Sequence, residues 1–179
     1  MAAKNIPIEG PRFEPDDDVW RRASDAVRRT FWRRLGEFAM GVKRDEIRRG
    51  IGVDGQPLAP VLPASRPDGA TGKPLDPHYG ESRTSRLLAV SATATGSKVY
   101  WRASGRVSWA TILGYHADGV VHGAPIRDTI GLSPAGWRRV EAQARALWAT
   151  ERRRRAARGG KAGAAKFQTR GARARGDAL

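Results

Sequence analysis

Residues 88–102, Leu-Ala-Val-Ser-Ala-Thr-Ala-Thr-Gly-Ser-Lys-Val-Tyr-Trp-Arg, decide the fold class. Leu88, Val90, Ala92 and Ala94 alternate with Ala89, Ser91 and Thr93, the period of two that belongs to a strand with one covered face. Gly96-Ser97 suits a two-residue hairpin turn that takes glycine first, and Lys98 to Arg102 returns as the partner strand. Val99 and Trp101 then share a face. The small side chains of Ala92 and Ala94 expect another element packed closely over that face, and the chain supplies one upstream.

That element is a helix. Pro15-Asp16-Asp17-Asp18 is a start signal, because an aspartate caps free backbone N–H groups and its charge suits the positive end of the helix dipole. Trp20, Val27, Phe31, Leu35, Phe38 and Val42 follow at helical spacing and form one apolar stripe. Arg21, Arg22, Arg28, Arg29, Arg33 and Arg34 take much of the remaining surface. The helix is expected to run to Arg49, with Gly50 as a left-handed C-cap. Gly36 and Gly41 each weaken it by roughly 1 kcal/mol relative to alanine, and also permit close approach of another backbone. A second helix starts at Ser133-Pro134, an N-cap followed by a proline that suits the first helical position. It carries Trp137, Val140, Ala144, Leu147 and Trp148 on one face. It is expected to end in Arg152 to Arg155, cations that favour the negative end of the dipole. The fold class is therefore α+β: a long N-terminal helix and a C-terminal helix packed on a small antiparallel β-sheet.

The rest divides around this domain, which spans residues 16–155. Residues 1–15, with Pro7, Gly10, Pro11 and Pro15, read as an extended N-terminal arm, disordered alone and able to lay Ile6, Ile8 and Phe13 on a neighbouring subunit. Residues 50–86 carry Pro or Gly at nearly every third position and form a long loop. Residues 156–179, made of Gly, Ala, Arg and Lys with a single Phe167, read as a flexible basic tail.

Charge narrows the class of function. The chain has 33 Lys+Arg against 18 Asp+Glu, a net +15. Residues 151–179 hold ten of the cations and two acids, so +8 of that total sits at one end. Such a balance points to nucleic acid or an acidic partner. Arg152, Arg153, Arg154, Arg155, Arg158, Lys161, Lys166, Arg170, Arg173 and Arg175 are the expected polyanion contacts. The absence of cysteine excludes disulfides and cysteine-based zinc sites, and fits a reducing cytoplasm. No apolar run is long enough to span a bilayer, and no apolar leader opens the chain, so no membrane partner is expected.

The histidines, aspartates and arginine of residues 108–133, Ser-Trp-Ala-Thr-Ile-Leu-Gly-Tyr-His-Ala-Asp-Gly-Val-Val-His-Gly-Ala-Pro-Ile-Arg-Asp-Thr-Ile-Gly-Leu-Ser, invite an enzyme reading. Ser108 can cap a short helix through Trp109, Ile112 and Leu113, and Val120-Val121 and Thr129 to Leu132 can form short strands. His116 and Asp118, two apart, would lie on different faces of a helix. Neither metal-binding helical spacing nor a Gly-x-Ser-x-Gly nucleophile turn occurs, and no phosphate-binding glycine loop is present. His78 and His122 fall on loops that nothing brings to His116. No catalytic residue, cofactor or metal is expected. His116, Asp118, Gly119, Pro125, Arg127 and Asp128 are read as structural, or as lining a subunit interface. A base-stacking sheet fares no better, since Tyr100 and Trp101 point to opposite faces and no RNA-binding sheet motif appears.

The order of these pieces resembles a known family. A long helix leads to Val53-Asp54-Gly55-Gln56-Pro57-Leu58, and Ser82-Arg83 and Ser85-Arg86-Leu87 feed the sheet. Trp109-Ala110 leads to His116-Ala117-Asp118-Gly119, and Pro125-Ile126-Arg127-Asp128 runs into Ile130-Gly131-Leu132-Ser133. Over residues 17–150 this is similar to the virion-morphogenesis, or tail-completion, family of tailed bacteriophages and prophages, the Mu-like group in particular. It departs at Ala117, where the family usually has Gln or Glu. The resemblance implies a non-enzymatic α+β protein of the virion, assembled in the host cytoplasm. Its copies would form a homo-oligomeric ring, six- or twelve-fold, at the neck or upper tail, between connector and tail proteins. The alternative from another class is a non-specific binder of duplex DNA acting through its basic tail.

Overall fold

The computed structural model describes residues 5–10, 12–58, 87–104, 107–108 and 130–176. Its elements are β1 (Asn5–Glu9), α1 (Asp18–Arg21), α2 (Asp25–Arg49), β2 (Leu88–Ala92), β3 (Gly96–Trp101), β4 (Ala103–Ser104), β5 (Val107–Ser108) and α3 (Pro134–Gly176). The architecture is α+β, a long N-terminal helix and a C-terminal helix packed with a three-stranded antiparallel sheet ordered β1-β3-β2. Helix α2 is the shared layer: it lies on β2 and β3 and also contacts α3.

The sheet confirms the 88–102 hairpin and moves its turn. Ala92 pairs with Ser97 and Thr93 N–H donates to Gly96 O at 2.8 Å, so the chain reverses through Ala94 and Thr95. Gly96-Ser97 opens β3 instead of forming the turn, and Ala94 leaves the covered face. Gly96 is dictated by a neighbour: a Cβ there would stand 2.6 Å from Cβ of Glu9 on β1. The covered face consists of Ile6, Ile8, Leu88, Val90, Val99 and Trp101, with Ile6 and Val90 both opposite Val99 and Leu88 opposite Trp101. Ser108 belongs to β5, paired with Ala103.

Residues 5–9 are extended, as expected, but they are neither loose nor reserved for another subunit. They form β1 against β3, and Ile6, Ile8 and Phe13 are buried in this chain's own core. Each such side chain contributes on the order of 1.5–3 kcal/mol when fully covered, which offsets the ordering of a short strand. Pro7 is tolerated because β1 is an edge strand.

The N-terminal helix is two helices. Asp17 caps α1 by accepting from Trp20 N–H at 2.7 Å, but α1 lasts one turn and α2 begins after Ser24. The break lets Trp20 turn back onto Phe31, Trp32 and Trp148, at ring distances of 5.1, 6.2 and 5.4 Å. Arg28 satisfies the end of α1, donating to Trp20 O and Arg21 O at 3.2 and 2.9 Å, with its guanidinium over the Trp20 ring. Within α2 the expected stripe is buried at Phe31, Leu35 and Val42, and partly so at Phe38. A second buried line, unread in the sequence, passes through Trp32, Gly36 and Ala39. At Gly36 an added Cβ would meet Val90 Cγ1 at 2.7 Å and Ser97 Oγ at 2.8 Å, so this glycine sets how closely helix and sheet approach. Gly50 ends α2 at φ 65°, the expected left-handed cap.

Helix α3 starts as its sequence indicates. Ser133 Oγ accepts from Gly136 N–H at 3.0 Å, and Val140, Ala144 and Trp148 are buried along one face. The helix runs antiparallel to α2, with Gly136 beside Val42 and Glu46 and with Trp148 beside Phe31. It does not stop at Arg152 to Arg155. It continues to Gly176, so most of the expected tail is helical and the four arginines lie in the helix interior, too far from its end to serve the dipole. Alanine, arginine, lysine and glutamine are strong helix formers, and their number outweighs the glycines among them.

Candidate functional site

Among the described residues, two regions are candidate sites: the junction where α3 begins, and the arginine-rich flank of α2 and α3. The junction is built around a buried carboxylate. Glu46, 4% exposed, accepts at Oε1 from Ser133 N–H at 3.0 Å and from Ser133 Oγ–H at 2.6 Å. Its Oε2 lies 3.4 Å from Nζ of Lys43, which is fully buried. The Ser133 hydroxyl therefore donates to Glu46 while accepting from Gly136 N–H. With Ser133 only 3% exposed, this is a brace between helices and not an accessible nucleophile.

The Val53–Leu58 segment docks on the same junction. Gly55, at φ 84°, closes a turn in which Gly52 N–H donates to Gln56 O at 2.8 Å and Asp54 accepts from Gln56 N–H at 2.9 Å. An isolated bridge joins Ile51 to Pro57. Val53 presses on Gly131, where an added Cβ would be 3.1 Å from its methyl groups, and Gly55 lies over Ser133 and Pro134. Leu132 is buried beneath. The Val53–Leu58 turn and residues 131–134 thus meet through close main-chain approach at Gly131 and Gly55. On the other side of α3, Arg12 pairs with Glu141 and stacks over Trp137 at 5.3 Å, tying the end of the N-terminal arm to this helix.

His116, Asp118, Gly119, Pro125, Arg127 and Asp128 lie outside the described residues, as do His78 and His122. Among the described residues there is no group of three His, Cys, Asp or Glu side chains able to hold a metal ion, and no helix long and apolar enough to cross a membrane.

The basic flank is described in part. Arg155 is turned inward: it pairs with Glu151 at 3.1 Å and donates to Val19 O at 3.5 Å. It thereby links α3 to α1. Arg152 lies 4.0 Å from Asp17, and Arg153 donates to Ala149 O at 3.3 Å, both remaining exposed with Arg154 and Arg158. Lys161, Lys166, Arg170, Arg173 and Arg175 follow on α3. At about 100° per residue these positions encircle the helix and do not form one stripe. Asp17 links flank and core, accepting from Trp148 Nε1–H at 2.7 Å as well as from Trp20 N–H. Partial burial pushes its carboxyl up, but the Trp20 amide, the Trp148 indole and the Arg152 charge together hold it below its ordinary value.

The sequence reading missed Lys43 and Glu46. A signal existed: both fall inside the buried arc bounded by Val42 and Ile47, three residues apart as a helical ion pair requires. No family model matches this chain, and no curated protein and no solved structure matches it either.

Proposed function

We propose that this chain is a structural protein of a tailed bacteriophage or phage-derived particle. Its copies form a ring at the neck or upper tail that completes the tail or joins it to the DNA-filled head. The observation that carries the reading is the junction at the start of α3. There the Val53–Leu58 turn and Ile130 to Ser133, far apart in sequence and both part of the resemblance, are locked together around Glu46. Their contacts brace a scaffold and leave the hydroxyl of Ser133 out of reach of any substrate. The net charge of +15 suits a channel through which phosphate passes, or an acidic face on an adjoining ring. In this reading His116, Asp118, Gly119, Pro125, Arg127 and Asp128 serve the subunit interface, and the chain is not an enzyme.

The test is deletion of the gene from the phage or prophage that encodes it, with electron microscopy of the particles released. Filled heads and unattached or incomplete tails are expected. Normal infectious particles lacking the protein overturn the proposal. A second reading, a free non-specific DNA-binding protein, is favoured by one observation: Arg152, Arg153, Arg154 and Arg158 are exposed on α3, as sequence-independent attraction to phosphate requires. It requires monomeric binding to duplex DNA with a steep salt dependence.

A further inference from the structure

Between the first half of α2 and residues 147–154 of α3 lies a cleft of about 90 Å³. Its floor is apolar, made by Val27, Phe31, Leu147 and Trp148, and Arg34 and Arg154 stand on its two sides. Glu151 also reaches it, but its carboxylate is paired with Arg155 at 3.1 Å, so the rim is positive. Arg33 beside it on α2 and Arg158 one turn further along α3 are both exposed and extend that charge in both directions.

We propose that this cleft is a docking site for an acidic segment of another protein, which inserts one apolar side chain between flanking carboxylates. The size fits. An apolar cavity of roughly 150 Å³ accepts benzene, so about 90 Å³ takes a single aliphatic side chain. Charge selects the partner. Opposite potentials steer the encounter and like charge penalises wrong partners, so a second copy of this +15 chain is disfavoured at an arginine rim. The apolar floor argues against nucleic acid as the occupant: phosphate oxygens gain nothing from Val27 and Leu147, whereas an exposed apolar side chain does. The proposal does not rest on the virion reading and survives its failure.

The test uses the full-length protein and fluorescence anisotropy of a labelled peptide, Glu-Asp-Glu-Leu-Phe-Glu-Asp-Glu. A control peptide with Gly-Ser in place of Leu-Phe has the same charge. The Leu-Phe peptide is expected to bind about tenfold or more tightly than the control, the margin of one well-seated apolar side chain. Arg34→Glu with Arg154→Glu, both at the surface, should weaken it by about tenfold or more. Val27→Phe, which fills the cleft, should erase the preference for Leu-Phe while leaving the weak charge-driven binding of the control. Equal binding of the two peptides, or unchanged preference in the Val27→Phe variant, overturns the proposal. So does duplex DNA whose binding depends on Val27, which would assign the cleft to nucleic acid.

Discussion

Replacing Glu46 probes the junction most sharply. Glu46→Ala removes the acceptor for both Ser133 donors and deprives the fully buried Lys43 ammonium of its carboxylate at 3.4 Å. Breaking a buried ion pair from one side costs about 3–5 kcal/mol, because the remaining charge loses the partner that offset its desolvation. Glu46→Gln also removes the carboxylate charge beside Lys43 but keeps a carbonyl oxygen for Ser133, so its cost should be smaller than that of Glu46→Ala by about 1–3 kcal/mol. Lys43→Met combined with Glu46→Leu removes both charges, and apolar replacement of a buried pair is often near neutral. What remains is the loss of the acceptor for both Ser133 donors, so the double variant should be less destabilised than Glu46→Ala alone. Urea unfolding followed by tryptophan fluorescence reads these differences. With a slope of about 1–3 kcal/mol per molar, Glu46→Ala should lower the midpoint by roughly 1–5 M. A Glu46→Ala variant within about 1 kcal/mol of the parent would refute the reasoning, as would Glu46→Gln being equally costly.

Other consequences are open to direct measurement. Gly36→Val forces a side chain into Val90 and Ser97 and should cost about 1–3 kcal/mol, whereas Gly41→Ala, with nothing within 4 Å, should stabilise by about 0.5–1 kcal/mol. The paired shifts in thermal midpoint check both. Asp17→Ala should cost about 1 kcal/mol near neutral pH through loss of the α1 cap. The folded-state pKa of Asp17 is lowered, so its contribution is present above its ordinary value of 3.8 and disappears as pH falls through the folded value. Stability curves of parent and Asp17→Ala should therefore converge in acid; curves that stay parallel contradict the assignment. Removal of residues 159–179 should leave the unfolding free energy within about 0.5 kcal/mol of the parent, because among the described residues the last buried one on α3 is Trp148. Circular dichroism and urea midpoints test this.

Much of the fold was legible because periodicity and caps act locally. The alternation at Leu88 and Val90, the Gly50 and Ser133 caps and the Trp137 to Trp148 face depend on near neighbours in sequence, and each stands in the structure. What failed depended on distant partners. Gly96 looks like a turn glycine until β1 lies beside it, and β1 looks like a loose arm until β3 offers it an edge. The break after Arg21 is set by Trp20 finding Trp148, at the far end of the chain. Lys43 and Glu46 were hidden because charge on a helix normally marks its solvent face. Of the candidate site, the arginines from Arg152 to Arg158 could be placed, and one, Arg155, also reaches Val19 O on α1. His116 to Asp128 lie outside the described residues.

The central claim is that copies of this chain assemble into a ring. Light scattering of the purified protein at moderate and high salt, with electron microscopy of the same sample and of its mixture with the neck and tail proteins proposed to adjoin it, tests that most directly. The account predicts a closed ring whose mass is a whole multiple of 19.5 kDa, alone or on joining those neighbours. A 19.5 kDa monomer that persists in the mixture and shifts duplex DNA only while its basic C-terminal segment is present would contradict it.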